Sequence, residues 1–447
     1  MLLLLIFCFA LASAGESVSR AGSNPLWSEL RDSAKSAEKN GDFDAAERYY
    51  VQALQAAADA GVPAGQFAVT EELGEFYWKK DNAPAAVTYL RAAVAILSRH
   101  FPADNERKGT ALNNLAFALR ETGSLNEAEQ NHLEALRVFQ NINLDEKVAA
   151  SYDGLAQVEI DLRKYALAEL YLKQSLSILE KHGLETVTTA HTLEMLANLH
   201  VSVGRTSDAE ELILRAEAIF RRNLPSANAD LMQCLDTKAS LLYEQQRYSE
   251  AKRLWQFILG SVQAARPALI IVAKYHLAAV YAQTKQYGEA QDLFEQLLRS
   301  IPSGNSNELT RALIEGELAS LLVQQHNDER ADALFQSAVS TIAPSRLNAS
   351  VAYATMCQRY AKLKARHKHW SDAADYLERS VKIESDVIPQ SAPLAEALEL
   401  SAQVYGKLGR HDDAKDYLNR AKTIRATIEE PRQSNTVDVE ALAGEKR

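Results

Sequence analysis

The chain has 447 residues, too many for one ordinary globular core, so it must be several domains or a repeat array. Hydrophobic residues make up 47% and charged residues 24%, yet there are only 18 Gly and 11 Pro, too little turn chemistry for a strand-rich fold. With 49 basic against 59 acidic residues the formal net charge is -10, which repels phosphate backbones and anionic lipid and excludes nucleic acid as a first reading.

The chain opens with an uncharged apolar segment, Leu2 to Ala14, closing on Ala12-Ser13-Ala14, the small-x-small pattern of a cleavage site. It reads as a signal peptide (1-14) that would deliver a periplasmic or secreted protein. No Lys or Arg precedes the apolar core, so an uncleaved anchor or a buried helix are the alternative readings. The segment is shorter than the roughly 20 residues a membrane span needs, and no stable span is expected after cleavage. Residues 15-25 are small and polar, a flexible leader.

From residue 26 to 430 the sequence repeats. Ala46, Ala86, Ala128, Ala168, Ala209, Ala251, Ala290, Ala331, Ala373 and Ala414 follow one another at intervals of 39 to 42 residues. Twelve residues before each of them stands Ala or Gly, as at Ala34, Gly74, Ala116 and Ala361. Four residues after each stands a large side chain, as at Tyr50, Leu90, Trp255 and Phe335, with His132 the polar exception. Small and large residues at helical spacing predict two helices crossing closely, the bulk of one filling the gap left by the other. The bend between them is written Asn40-Gly41-Asp42-Phe43 or Thr122-Gly123-Ser124-Leu125, where Gly takes the left-handed conformation. Other repeats use Arg163-Lys164, Gln246-Arg247, Lys285-Gln286, His326-Asn327 or Lys368-His369 for the same bend. Pro302 and Pro344 come about one helical turn earlier in their repeats than Pro102, Pro225, Pro267 and Pro389 do, so most second helices should be a turn longer than those two.

Export would permit disulfides, but after the first 14 residues only Cys234 and Cys357 remain. Three repeats separate them, well beyond the roughly 7 Å between α-carbons that a bridge tolerates, so two buried free thiols are expected. Pro431 onward reads as a disordered tail, within which Val437, Val439, Ala441 and Leu442 could form a short docking element.

Residues Ala111 to Val138, with Leu115, Ala116, Gly123, Ala128, Leu133, Ala135 and the Asn113-Asn114 pair at matching positions, resemble a tetratricopeptide repeat of the longer kinesin-light-chain-like type. The resemblance recurs in register ten times. It implies an all-α solenoid, a right-handed superhelix of about ten hairpins, whose concave surface is lined by the first helix of each. It does not extend to motor transport, since the heptad coiled coil of the light chains is absent. Nor does any consecutive triple of repeats satisfy the family's carboxylate-clamp pattern.

Mapped onto this sequence, the resemblance puts Trp78, Asn113, Asn114, Phe117, Asp153, Gln157, Glu194, Asn198, Tyr243, Tyr275, Arg359, Lys362 and Arg366 on the concave face. Asn and Gln amides there could pair with the main chain of an extended peptide, or they could be solvated polar residues on an exposed helix. Charge is segregated: Asp153, Asp161, Glu194, Asp236 and Glu244 lie in the middle, and Arg359, Lys362, Lys364, Arg366 and Lys368 in the ninth repeat. A ligand of complementary charge and a merely solvated surface explain this equally well.

No phosphate-cradling Gly loop, nucleophile elbow or His-Glu-x-x-His helix occurs, and no carboxylate pair is singled out. His367-Lys368-His369 lacks ligand spacing and reads as a surface turn; His191 and His200 read as packing residues. The expectation is therefore a non-enzymatic scaffold for a protein or peptide, without cofactor, metal or catalytic residues. The alternative is a peptide sensor that compacts when its ligand binds.

Overall fold

The computed structural model describes residues 25-429 apart from 81, 102, 104, 182, 184, 204, 227, 262-266, 302-306, 346, 347 and 349. The proposed signal segment, the tail and all of the leader except Pro25 lie outside the described residues. Among the described residues there are twenty helices and no strand. No helix among them is long and apolar enough to cross a membrane.

The residues group into two compact units that divide between Leu241 and Leu242. The N-terminal unit holds α1 (Leu26–Lys39), α2 (Phe43–Asp59), α3 (Pro63–Lys79), α4 (Ala83–His100), α5 (Glu106–Glu121) and α6 (Leu125–Asn141). It continues with α7 (Asp145–Asp161), α8 (Tyr165–Lys181), α9 (Val187–Ser202), α10 (Thr206–Asn223) and most of α11 (Ala229–Glu244). The C-terminal unit holds the end of α11, then α12 (Tyr248–Ser261), α13 (Pro267–Gln283), α14 (Tyr287–Ser300), α15 (Glu308–Gln324) and α16 (Asp328–Ile342). Its last helices are α17 (Val351–Arg366), α18 (Trp370–Val387), α19 (Ala392–Lys407) and α20 (His411–Glu429).

Within each unit, helices pack against their chain neighbours in hairpin pairs, and the odd-numbered pairs α1 and α3, α5 and α7, α7 and α9, α13 and α15, α15 and α17, and α17 and α19 also touch. That extra contact identifies the odd helices as the inner, crowded layer of each stack. Each unit is thus a solenoid of helical hairpins, as the repeat predicts.

The small residues sit where the helices cross. The alanine anchors from Ala46 to Ala373 are fully buried, as are Ala34, Ala116, Ala156 and Ala361. The large residues four positions on, from Tyr50 to Leu377, are buried too. Leu418 in α20 is the exception at 41% exposed, because no further described hairpin covers it. The outer surface of α20, with Lys415, Asp416, Asn419, Arg420 and Lys422 all exposed, supplies the polar end of the stack. The proline expectation matches α14 and α16, with 14 and 15 residues, against α4, α10 and α18 with 18, but α12, which precedes Pro267, is described over only 14 residues.

Gly41, Gly123 and Gly409 occupy the bends with φ of 79°, 80° and 78°. In the first bend Asp42 follows directly and caps α2, accepting the Ala45 backbone N–H at 3.0 Å. In five other repeats the left-handed position is held by Arg163, Gln246, Lys285, His326 and Lys368, with φ of 60° to 62°. A side chain there costs about 1-2 kcal/mol, partly offset by the entropy Gly would lose on folding. Lys285→Gly and Lys368→Gly should therefore each stabilise the C-terminal unit by about 0.5-1 kcal/mol. Urea unfolding checks this; midpoints unchanged or lowered in both variants would sink it.

Candidate functional site: the inner helix faces

The inner faces carry unusually many polar groups, and much of that polarity joins one hairpin to the next. On α5, Asn113 donates through Nδ2 to Ser151 Oγ of α7 at 3.0 Å, while its Oδ1 lies 2.9 Å from His132 Nδ1. Arg120 donates to Gln157 Oε1 at 2.9 Å and to Asp161 Oδ2 at 2.7 Å. Gln157 reaches on to Met195 Sδ at 3.3 Å. Thr192 donates to Asp153 at 2.8 Å, and Thr237 to Glu194 at 2.9 Å. Partners in these inter-hairpin bonds stand 37 to 43 residues apart, one repeat along the chain. The polar groups thus hold adjacent hairpins in register, each bond being worth about 1 kcal/mol and costing more if one member is left alone.

Burial sorts the predicted residues into two groups. Asn113, Asn114, Asp153, Gln157 and Glu194 are each at most 7% exposed, so they lie between helices and are not solvated on a face. Trp78, Phe117, Asn198, Tyr243, Tyr275 and Arg359 are half-buried, and Lys362 and Arg366 are exposed. Only this second group is open to a ligand.

The reachable residues form two clusters, one in each unit. In the N-terminal unit the Trp78 and Phe117 rings lie 6.3 Å apart on α3 and α5, and Trp78 Nε1 donates to Glu121 at 3.0 Å. On the same face of α3 stand Glu71 and Glu75. Burial and then the Glu75 and Glu72 charges push Glu71 up to about 8. In the C-terminal unit Tyr243 and Tyr275 lie within electrostatic range of Arg359 and Glu317. The Arg359 guanidinium bonds Glu317 through Nη1 at 2.7 and 2.8 Å.

Lys362 and Arg366 do not join that cluster. Lys362 stands 4.0 Å from Glu396, and Arg366 bonds Asp328 at 3.0 Å. Lys364 is paired with Asp332 at 2.6 Å. Four of the five basic residues read as a charged stretch in the ninth repeat therefore face an acidic partner, which weakens the field they present.

Buried ionisable groups pervade the N-terminal unit. Burial lifts Asp153 to about 7 against the hydrogen bonds from Ser175 and Thr192, and lifts Glu194 to about 8 with help from the Asp236 and Asp230 charges. Burial also lowers His132 to about 3, so its ring is neutral. His191 lies edge-on to Phe220 and His200 lies 3.4 Å from Glu169, the packing roles expected for them. Cys234 and Cys357 are free and buried, and burial raises both thiols, Cys357 to about 11. Among the described residues no group of His, Cys, Asp and Glu could hold a metal ion.

Sequence reasoning did not find the His132, Asn113 and Ser151 network. A signal for it existed, since His132 occupies a position that is otherwise apolar in every repeat.

Models of the tetratricopeptide repeat match residues 65-141, 107-181, 271-303 and 395-427, so both units contain matched repeats. No curated protein matches the chain. Among solved structures, a Rap protein complexed with competence and sporulation factor aligns with 82% of this chain and 99% of its own, at 14% identity and a TM-score of 0.55. BtubC from P. vanneervenii is 22% identical over 56% of this chain and 97% of its own, with a TM-score of 0.38. Human IFIT1 is 16% identical over 88% of this chain and 89% of its own, with a TM-score of 0.47. The likeness to the Rap protein is one of fold. The matched repeats lie in both units, and with the stacked hairpins they make this chain an all-α solenoid built of tetratricopeptide repeats.

Proposed function

We propose that this protein is a non-enzymatic scaffold, exported by its N-terminal segment, that holds a protein or peptide against the inner faces of its hairpins. The observation that carries this reading is the aromatic pair Trp78 and Phe117. Both rings are half-buried on inner helices, 6.3 Å apart, where the hairpin crossing itself requires only small residues. Half-exposed aromatic rings on a rigid helical layer are the usual anchors of a protein interface. Asn198, Tyr243 and Tyr275 offer further hydrogen-bonding groups on the same layer of their own units.

The buried Asn113, Asn114 and Gln157 support this surface from beneath and do not touch the ligand. Replacing them would lower stability as well as binding, so they make poor probes. The informative variant is Trp78→Ala with Phe117→Ala, checked for an unchanged helical spectrum. Partners captured by the chain lacking its first fourteen residues should fall at least tenfold in yield with this variant. Equal yields from variant and parent would rule out the aromatic pair as the anchor.

The sensor alternative draws on the Rap protein, which is recorded in complex with a factor. Contraction in solution scattering when a short peptide binds would favour it; an unchanged radius with bound peptide would remove it.

A further inference from the structure

The face that α20 would turn to a next hairpin differs from the same face of α18. On α18, Ala374, Leu377, Val381 and Glu384 are at most 6% exposed, in the helix that α19 packs against. One repeat on, 41 residues along the chain, the same positions of α20 are Lys415, Leu418, Lys422 and Arg425. Lys415, Leu418 and Lys422 are exposed, and Arg425 bonds Glu399 through Nε at 3.1 Å. Here α20 presents a leucine among three basic residues.

The sequence that follows α20 keeps the register of a first helix. Ala361 and Ala402 are small positions of successive first helices, 41 residues apart, and a further 41 residues bring Ala443. Leu442 precedes it, as leucine precedes the small residue at Leu115-Ala116, Leu155-Ala156 and Leu318-Ala319, where each leucine is at most 2% exposed. Val439 stands where α19 has Leu398, which is fully buried. Pro431 comes ten residues after the small Ala421, as Pro389 comes nine after Ser380 just ahead of α19. Composition reads this stretch as disordered, whereas its register is that of a repeat.

Charge fits the two surfaces together. Val381 of α18 shares a buried cluster with Ala397 and Leu398 of α19. One repeat on, the same grouping becomes Lys422 with Asp438 and Val439. An ion pair beside an apolar residue replaces an apolar contact. Leu377 shares its own cluster with Val404 and Tyr405, and their counterparts Glu445 and Lys446 can lay methylene stems over Leu418.

We propose that residues 434-447 form the first helix of an eleventh hairpin, packed on α20 as α19 packs on α18, covering Leu418 and pairing Asp438 with Lys422. The exposed face of α20 is then a docking surface for a segment of this same chain. Gly444 and the short length leave such a helix too weak to stand alone, so it forms only on α20. The docking does not depend on what the inner faces hold.

Hydrogen exchange on the full chain, with the synthetic peptide 431-447 as reference, tests this. Amides 439-446 should exchange at least about tenfold more slowly in the chain than in the peptide. Leu442→Asp, which puts a charge into the contact, should return them to the peptide rate while α1 to α18 stay as protected as before. Lys422→Asp should speed them about threefold, and adding Asp438→Lys should restore the slower rate. Exchange at the peptide rate in the parent chain, or a Leu442→Asp chain as protected as the parent, overturns the docking. So does a double charge reversal that exchanges no more slowly than Lys422→Asp alone. Fast exchange of the segment together with a doubled mass in sedimentation would overturn it in favour of a second copy on this face.

Discussion

Replacing Gly154 with Ala should destabilise the N-terminal unit by about 2-3 kcal/mol, a large effect for adding one methyl group. A Cβ at this position would lie 2.3 Å from His132 Cε1 and 2.7 Å from each ring nitrogen. The ring cannot step aside. It is fully buried, its Nδ1 is 2.9 Å from Asn113 Oδ1, and Phe117 stands edge-on to it at 4.8 Å. Gly316 makes the natural control. There the added Cβ would meet Met356 Cε at 2.3 Å, but that is the terminal methyl of a flexible side chain. Alanine also gains roughly 1 kcal/mol of helix propensity over glycine, so Gly316→Ala should come out near neutral. Thermal and urea unfolding of the two variants tests the contrast. Adding His132→Ala should rescue part of the Gly154→Ala loss, since neighbouring substitutions do not act independently. A Gly154→Ala protein as stable as Gly316→Ala would mean that α6 and α7 do not cross through this ring.

The second large effect is on pH. Asp153 at about 7 and Glu194 at about 8 are raised in the folded state, mainly by burial, and each is 1% exposed. A carboxyl group whose folded pKa is raised contributes stability that is complete below its unfolded pKa and is lost as pH rises through the folded value. At 1.36 kcal/mol per pKa unit, raising Asp153 from its ordinary value near 4 to 7 corresponds to about 4 kcal/mol lost between pH 4 and pH 8. His132 acts on the other side. Its folded pKa is lowered to about 3, so stability falls as pH drops below the ordinary histidine value of about 6.5. Glu169, held down by hydrogen bonds from His200, Arg205 and Lys173 against burial, adds to the acid loss. The N-terminal unit should therefore be most stable near pH 4-5, because above it the two raised carboxyls lose more than His132 gains and below it His132 and Glu169 both lose, with melting temperature falling on both sides. Asp153→Asn and Glu194→Gln, which keep a hydrogen-bond acceptor, should flatten the alkaline limb and leave the acid limb in place. A melting temperature that rises steadily from pH 6 to pH 9 would contradict the burial of these carboxyl groups.

The parts of the fold written locally were legible in the sequence. Small residues at fixed spacing gave the crossings, Gly41, Gly123 and Gly409 gave the bends, and Pro302 and Pro344 gave the shorter second helices. Each of these depends on residues within one hairpin. The division within α11 was not legible, because neither composition nor the small-residue register changes around Leu241.

The candidate site was half legible. Register places Asn113, Asp153, Gln157 and Glu194 on inner helices, yet whether such a residue faces a ligand or a neighbouring hairpin depends on what stands one repeat away. Ser151, Thr192, Met195 and Thr237 decide that they face neighbours, and pairing across about forty residues is invisible to local pattern. The charged stretch in the ninth repeat fails for the same reason, since Asp328, Asp332 and Glu396 come from other helices. Trp78 was legible: its register turned it inward, and half-buried beside Phe117 is where it lies.

The central claim is that ligands bind the inner helix layer, and hydrogen exchange on a complex with the natural partner tests it most directly. After capture from the native compartment, added protection of backbone amides should concentrate in odd-numbered helices, led by α3 and α5 in the N-terminal unit or α13, α15 and α17 in the C-terminal unit. Protection confined to the even-numbered helices or to the bends would contradict it.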